Sequence, residues 1–398
     1  MSPVETPDRI EPARIEEPKV ELVDVVADLT AATSYLGRAL HPRTAANLAG
    51  LVRVMNTYYS NLIEGNNTRP RDIERALLGE LDEDEGRRNL QLEAAAHVRV
   101  QSEIDRKFLA GELPSSTSTD FICWIHQEFY RDAPAAMLHL KSADREVIME
   151  PGKWRTKVEH DNAVGRHIPP SSEYVGAFMQ HFQKRYDLAP LGRAGRIMAI
   201  PAAHHRFNYI HPFPDGNGRV SRLMSHAMAQ QSDVGAHGLW SISRGLARGL
   251  SSRSEYKQMM DMADTPRESD LDGRGNLSLR ALNAFALWFL KVCLDQAKFM
   301  SDLFELNTLR NRMRRHVERS PTLRVEAASL LEEALIRGEF ERGEVTRITG
   351  LPERTARRVL TDLTTAGLLS SETDKGPVSL RFPEAVLEDF FPRLYPQV

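Results

Sequence analysis

The twelve residues His211-Pro-Phe-Pro-Asp-Gly-Asn-Gly-Arg-Val-Ser-Arg222 constrain this chain more tightly than any other stretch. Before them, Ala194–Ile210 reads as a helix with Ile197, Met198, Ile200, Phe207 and Ile210 turned inward. After them, Leu223, Met224, Ala227 and Met228 continue an apolar stripe. The stretch is therefore a turn between two core helices. Gly216-Asn217-Gly218 can adopt backbone angles closed to most residues, so successive N–H groups can converge on one anion. A helix starting just after the turn adds its unpaired N–H groups and positive dipole end. Arg219 and Arg222 are three apart on one helix face and can reach the same phosphates. Asp215 stands at the mouth, where a Mg²⁺ ion bridging phosphates would take a carboxylate oxygen. His211 titrates near neutral pH, so its free imidazole can accept a proton from an attacking hydroxyl. A nucleotide polyphosphate gives each of these residues a separate job.

In this order the residues match His-x-Phe-x-(Asp/Glu)-Gly-Asn-Gly-Arg-x-x-Arg position for position, and the chain resembles the Fic (filamentation induced by cAMP) family. The resemblance implies an all-α protein, with a Fic-type helical core and a short β-hairpin flap. It also implies an adenylyltransferase, moving AMP from ATP onto a Tyr, Thr or Ser hydroxyl of a protein, itself included, with Mg²⁺ as cofactor. A few Fic proteins use UTP, GTP or CDP-choline, so the motif does not by itself fix the nucleotide.

Upstream, Leu29, Leu36, Leu40, Leu48, Leu51, Val52 and Met55 recur at helical spacing, and Ser60-Asn-Leu-Ile-Glu64-Gly65 ends a helix. A carboxylate in a last helical turn faces the negative dipole end and loses about 0.3–1 kcal/mol there. Glu64 is thus oddly placed for a surface residue. Ser60 to Gly65 also fits the (Ser/Thr)-x-x-x-Glu-(Gly/Asn) inhibitory motif of many Fic proteins. The resemblance implies that Glu64, with Ser60 on the same helix, pairs with Arg222 and keeps the γ-phosphate from its arginine. Some relatives with this glutamate remove AMP instead, Glu64 then positioning a water. That reverse reaction stays open.

Gly152–Pro170 contains β-formers, an Asp-Asn turn signal and a double proline, which predicts a short hairpin. The exposed edge of such a hairpin can pair with an incoming segment. By resemblance this is the flap over the nucleotide, contributing Val164, Gly165, Arg166 and His167. Family members place a tyrosine against the nucleotide from the helix around Ser254–Asp264, which makes Tyr256 the candidate. Asp264 departs from the asparagine relatives often carry. His204 and His205 are adjacent and face different sides, a poor chelate.

The organisation expected is a disordered tail over residues 1–25, acidic and rich in Pro and Glu. An N-terminal helical region with the inhibitory motif follows over 26–113, then the catalytic core over 114–300 and a linker helix over 301–320. Residues 321–398 read as helix, turn, helix and hairpin, resembling a winged helix-turn-helix. Arg354, Arg357 and Arg358 on its second helix favour DNA as partner. Its 10 Lys+Arg against 13 Asp+Glu, a net of −3, argue against DNA. A nucleotide-responsive DNA-binding regulator is therefore the rival reading, and homodimerisation or target choice are the other roles for this region. No apolar run approaches the roughly 20 residues of a membrane span. Cys123 and Cys293, the only cysteines, lie far apart, which excludes a Cys-based zinc site and fits a reducing cytoplasm.

Overall fold

The computed structural model describes residues 5–142, 145–161, 163 and 165–395. Helices α1 (Val20–Arg38), α2 (Pro42–Ile63), α3 (Pro70–Leu77), α4 (Glu85–Leu109) and α5 (Thr119–Tyr130) lead to the short α6 (Ala135–Leu138). An antiparallel hairpin follows, β1 (His139–Ser142) and β2 (Arg145–Ile148), with His139 opposite Ile148. Then come α7 (Val175–Tyr186), α8 (Arg193–Ile210), α9 (Asn217–Gln231), α10 (Ile242–Arg248), α11 (Glu255–Ala263), α12 (Leu279–Leu303) and α13 (Leu306–Arg319). The chain closes with α14 (Ala327–Arg337), β3 (Glu339–Phe340), α15 (Val345–Thr349), α16 (Glu353–Thr365), β4 (Leu369–Ser370), β5 (Val378–Leu380) and α17 (Glu384–Phe390). Two compact units result. One comprises Met1–Ala31, Asn56–Gly235 and Ser241–Gln296; the other comprises Ala32–Met55, Ala236–Trp240 and Ala297–Val398.

The first unit is built around α8 and α9, which pack on each other; α7 lies on α8, and α4 and α5 lie on α9. From Ile197 to Ile210 nearly every residue of α8 is buried, as expected of a helix covered on all sides. The neighbouring helices start where side chains supply caps. Asp84 accepts the Arg87 N–H at 2.9 Å to begin α4, and Ser118 accepts the Phe121 N–H at 3.3 Å to begin α5.

The described hairpin is at His139–Ile148, and Asn162 and Val164, in the middle of the stretch expected as the flap, lie outside the described residues. Among the described residues of 152–170 there are a 3₁₀ turn, Val158–His160, a turn at Gly165–Arg166 and a single bridge residue, His167. Arg155 is buried and donates to the carbonyls of Pro170, Ile210 and His211, which ties the segment to the core. The N-terminal stretch is no loose tail. Pro7–Ile10 is a 3₁₀ turn, and Ile10 and Ala13 are fully buried. Glu11 binds His181 at 2.8 Å and Arg185 at 2.7 Å, and Tyr186 donates its hydroxyl to the Ala13 carbonyl at 2.6 Å.

In the second unit, α14, α15 and α16 pack together beside a three-stranded antiparallel sheet of order β3-β5-β4. Gly350, at φ +71°, caps α15 in the left-handed region and lets the chain turn into α16. Leu331, Leu335, Val359, Leu363, Val378 and Leu380 are core. Arg354, Arg357 and Arg358 are exposed on α16. The helix expected over 301–320 is interrupted: α12 stops at Leu303, and Glu305 accepts the N–H groups of Asn307 and Thr308 to start α13. That helix buries Leu309, Met313 and Val317, so it packs as a core element and is no exposed linker.

Candidate active site

α8 ends on His211, which adopts the left-handed conformation, φ 51° and ψ 58°. A non-glycine residue in that region is strained and persists only where its surroundings fix it. Arg155 does the fixing: its Nε donates to the His211 carbonyl at 2.7 Å, and its own N–H bonds the Pro212 carbonyl at 2.9 Å. The loop is closed internally by Asn217. Its Oδ1 accepts the Phe213 N–H at 2.9 Å and its Nδ2 donates to the Phe213 carbonyl at 2.8 Å. Phe213 is fully buried, stacked on His126 with ring centres 3.8 Å apart and leaning on Trp154. Asn217 therefore shapes the turn as a side chain, a role its place in a glycine turn did not announce.

Gly216 precedes α9 with φ +81°, and a Cβ there would lie 2.8 Å from the Tyr130 hydroxyl. Only glycine fits. The N-terminus of α9 is thus presented beside Asp215, whose side chain is 47% exposed. Asp215 is held from beneath: the Tyr130 hydroxyl donates to Oδ2 at 3.4 Å, and His126 Nε2 reaches the Asp215 carbonyl at 3.2 Å. His126 Nδ1 accepts the Gly152 N–H at 2.8 Å, which makes Nε2 the protonated nitrogen of a neutral ring.

The two arginines of the turn point to different partners. Arg222, almost fully buried, donates from Nη2 to Glu64 Oε1 at 2.6 Å, and from Nε to the Ser60 hydroxyl at 2.9 Å. A third bond reaches the Ser60 carbonyl at 3.3 Å. Both inhibitory-motif residues read from the sequence therefore meet the arginine expected of them. A Cβ on Gly218 would lie 2.5 Å from Glu64 Oε1, so the carboxylate rests directly against the turn. Arg219 instead lies between Glu93, with an Nη1–Oε2 distance of 2.7 Å, and Asp215, with an Nη2–Oδ2 distance of 3.1 Å. Its guanidinium also stands over the Phe129 and Tyr130 rings. Glu93 and Arg155 were not singled out in the sequence, because their partners lie far away along the chain.

Burial lowers His211 to about 4, with the Arg155 and His167 charges adding to the effect and Asp215 only partly opposing it. The imidazole is consequently neutral, and able to accept a proton, at ordinary pH. Burial works to raise the Glu64 carboxyl, but the Arg222 and Arg219 charges outweigh it and hold the group below its ordinary value, hence ionised.

The remaining candidates are placed as follows. His167 lies close to the end of α8, its Nε2 2.7 Å from the Tyr209 carbonyl and its Nδ1 3.6 Å from Asp264. Gly165 and Arg166 are exposed, and Val164 lies outside the described residues. Tyr256 is buried, its hydroxyl 2.8 Å from His204 Nε2, while His204 Nδ1 meets Ser225 at 2.9 Å. Tyr256 lies against Arg222. His205 faces Asp264 at 3.1 Å, away from His204's partners. Among the described residues, no helix is long and apolar enough to cross a membrane.

A helical unit that presents a strained histidine, a glycine turn at a helix start and two buried arginines defines a class of anion-handling site. Comparison with known proteins says which. Residues 116–229 match the Fic/DOC family, so the chain carries a Fic domain. The Drosophila erecta protein adenylyltransferase Fic is 33% identical over 95 residues, which is 24% of this chain and 19% of the relative. The Aedes aegypti protein of the same name is 32% identical over 69 residues, 17% and 14% respectively. The match thus spans about a fifth or less of the length of these curated relatives. A Fic family protein from Desulfovibrio desulfuricans G20 superposes with a TM-score of 0.52 at 15% identity, covering 92% of this chain and 99% of that one. Fic-1 from C. elegans (residues 134–508) gives 0.51 at 16% identity, covering 72% and 73%. These structural likenesses establish a shared fold.

Proposed function

We propose that the chain transfers AMP from ATP to a hydroxyl side chain of a protein, and that Glu64 holds it in a low-activity state. The observation that carries this reading is the turn itself. A neutral His211 sits at one end, and Arg222, tied to Glu64 at 2.6 Å, at the other. The phosphates lie over Gly216–Gly218, on the N–H groups and positive end of α9. His211 accepts the proton of the Tyr, Thr or Ser hydroxyl as that oxygen bonds to the α-phosphorus. The bond from the α-phosphorus to its bridging oxygen breaks, and pyrophosphate leaves. Positioning and charge stabilisation supply most of the acceleration. Arg222 serves the γ-phosphate once Glu64 moves aside. Arg219 was the other arginine expected on phosphate; Glu93 and Asp215 already hold it, so in this reading it acts through Asp215.

Mg²⁺ suits the residues present: one half-exposed carboxylate at the mouth of a phosphate turn, with substrate oxygens completing the shell, is how this ion is usually held. Bound there, it would neutralise charge on the phosphates. The reverse reaction, release of AMP from a modified protein, is the second reading, favoured by the ionised Glu64 carboxylate lying against the turn. DNA binding through α16 stays the rival role for the second unit, resting on its three exposed arginines. ATP labelled in the α-phosphate, incubated with the chain and a cell extract, tests the main reading: label on protein that disappears in His211→Ala supports it. Label retained by His211→Ala would refute the base assignment. Absence of label, with AMP released from a modified protein, would establish the reverse reaction.

A further inference from the structure

Arg219 is one cation shared by two carboxylates. Glu93 Oε2 lies 2.7 Å from Nη1, and Asp215 Oδ2 lies 3.1 Å from Nη2. The side chains of Arg219 and Glu93 are 7% and 15% exposed, whereas that of Asp215 is 47% exposed. The guanidinium cannot swing toward either partner, because Phe129 and Tyr130 flank it with ring centres 5.3 and 5.7 Å away. The Glu93 contact is close but poorly aligned: Oε2 makes no hydrogen bond of good geometry. It therefore acts mainly as a charge.

We propose that Glu93 is a positioning residue for Asp215: by drawing on Arg219, it leaves the Asp215 carboxylate with negative charge to offer a divalent cation that arrives with the nucleotide. The proposal rests on the reading of Asp215 as the cation ligand. An arginine paired with Asp215 alone would nearly cancel its charge and oppose a second cation at the same oxygens. Two carboxylates on one arginine leave the cluster with a net charge of about −1, and the exposed member is the one that faces the mouth. Glu93 reaches this position from α4, whose N-terminal turns also pack against α3, so the signature depends on a helix outside it.

The test is a Mg²⁺ titration of ADP binding to the full chain by calorimetry; ADP lacks the γ-phosphate and is therefore indifferent to the Glu64–Arg222 contact. Wild type is compared with Glu93→Gln, Glu93→Asp and Asp215→Ala, with thermal melts confirming that each is folded. The proposal expects Glu93→Gln to need roughly tenfold more Mg²⁺ for half its effect, while ADP affinity without Mg²⁺ stays unchanged. Glu93→Asp, which restores the charge, should return the midpoint most of the way. An unchanged midpoint in Glu93→Gln, beside a raised one in Asp215→Ala, would overturn the role of Glu93 and leave the site reading standing. An equal loss of ADP affinity with and without Mg²⁺ would make Glu93 a structural residue only and would also overturn it. An unchanged midpoint in Asp215→Ala would remove the cation role of Asp215, and the proposal with it.

Discussion

Glu64 Oε1 lies 2.6 Å from Arg222 Nη2, joining the end of α2 to the second turn of α9 across 158 residues of sequence. A carboxylate just past a helix C-terminus is unfavourable locally, so the contact is held by its partner. Arg222 is 1% exposed and satisfied by Ser60 and Glu64 together. The same guanidinium cannot serve a phosphate while these bonds persist.

His211→Ala should lower AMP transfer by roughly 10²–10⁴-fold, the usual worth of a general base. Nucleotide affinity, measured by calorimetry, should stay near wild type, because in this reading the phosphates rest on the backbone N–H groups at the start of α9.

Gly216→Ala should cost about 1–3 kcal/mol, since alanine must adopt φ +81° and its Cβ meets the Tyr130 hydroxyl. Chemical denaturation reads this directly, and the double change Gly216→Ala/Tyr130→Ala should recover only the steric part.

Arg155→Ala removes the side chain that binds the carbonyls of Pro170, Ile210 and His211. Leaving buried carbonyls unpaired costs about 1–3 kcal/mol each. A lower melting temperature should accompany a fall in kcat, because His211 loses the anchor for its left-handed backbone.

Acid should destabilise the fold above the carboxylate range. Burial lowers His97 and His204 to about 3, and His126 and His211 to about 4, from an ordinary value of 6.5. Between those limits the unfolded chain binds more protons than the folded one, so stability rises with pH. Each group's contribution is fully present above about 6.5 and is lost as pH falls through its folded value. Melting temperatures should therefore drop from pH 7 to pH 4.5. His204→Gln should flatten that slope; an unchanged slope would mean that His204 is already charged in the folded state.

The turn from His211 to Arg222 was legible because its residues are contiguous and each obeys local backbone rules. The left-handed Gly216 and the α9 start follow from twelve residues alone. Glu64 was legible through a second short motif, and its partner was named with it. What escaped was long-range. The Pro- and Glu-rich N-terminal stretch has a disordered composition, yet Glu11 finds His181 and Arg185, and Arg9 finds Tyr209 and the Ile168 carbonyl. Arg155 ties the 152–170 stretch to the core through acceptors 15 and 55 residues away. Tyr256 sat on the expected helix, but its hydroxyl is satisfied by His204 in the core. Glu93 carries no motif at all.

The most direct test follows α-phosphate label from ATP onto protein for wild type, Glu64→Gly and Glu64→Gly/His211→Ala. Breaking a buried, charge-assisted contact of about 1.5–3 kcal/mol should raise labelling on the order of ten- to a hundredfold in Glu64→Gly, and the added His211 change should abolish it. Labelling that is equal in wild type and Glu64→Gly would contradict the claim that Glu64 restrains this site.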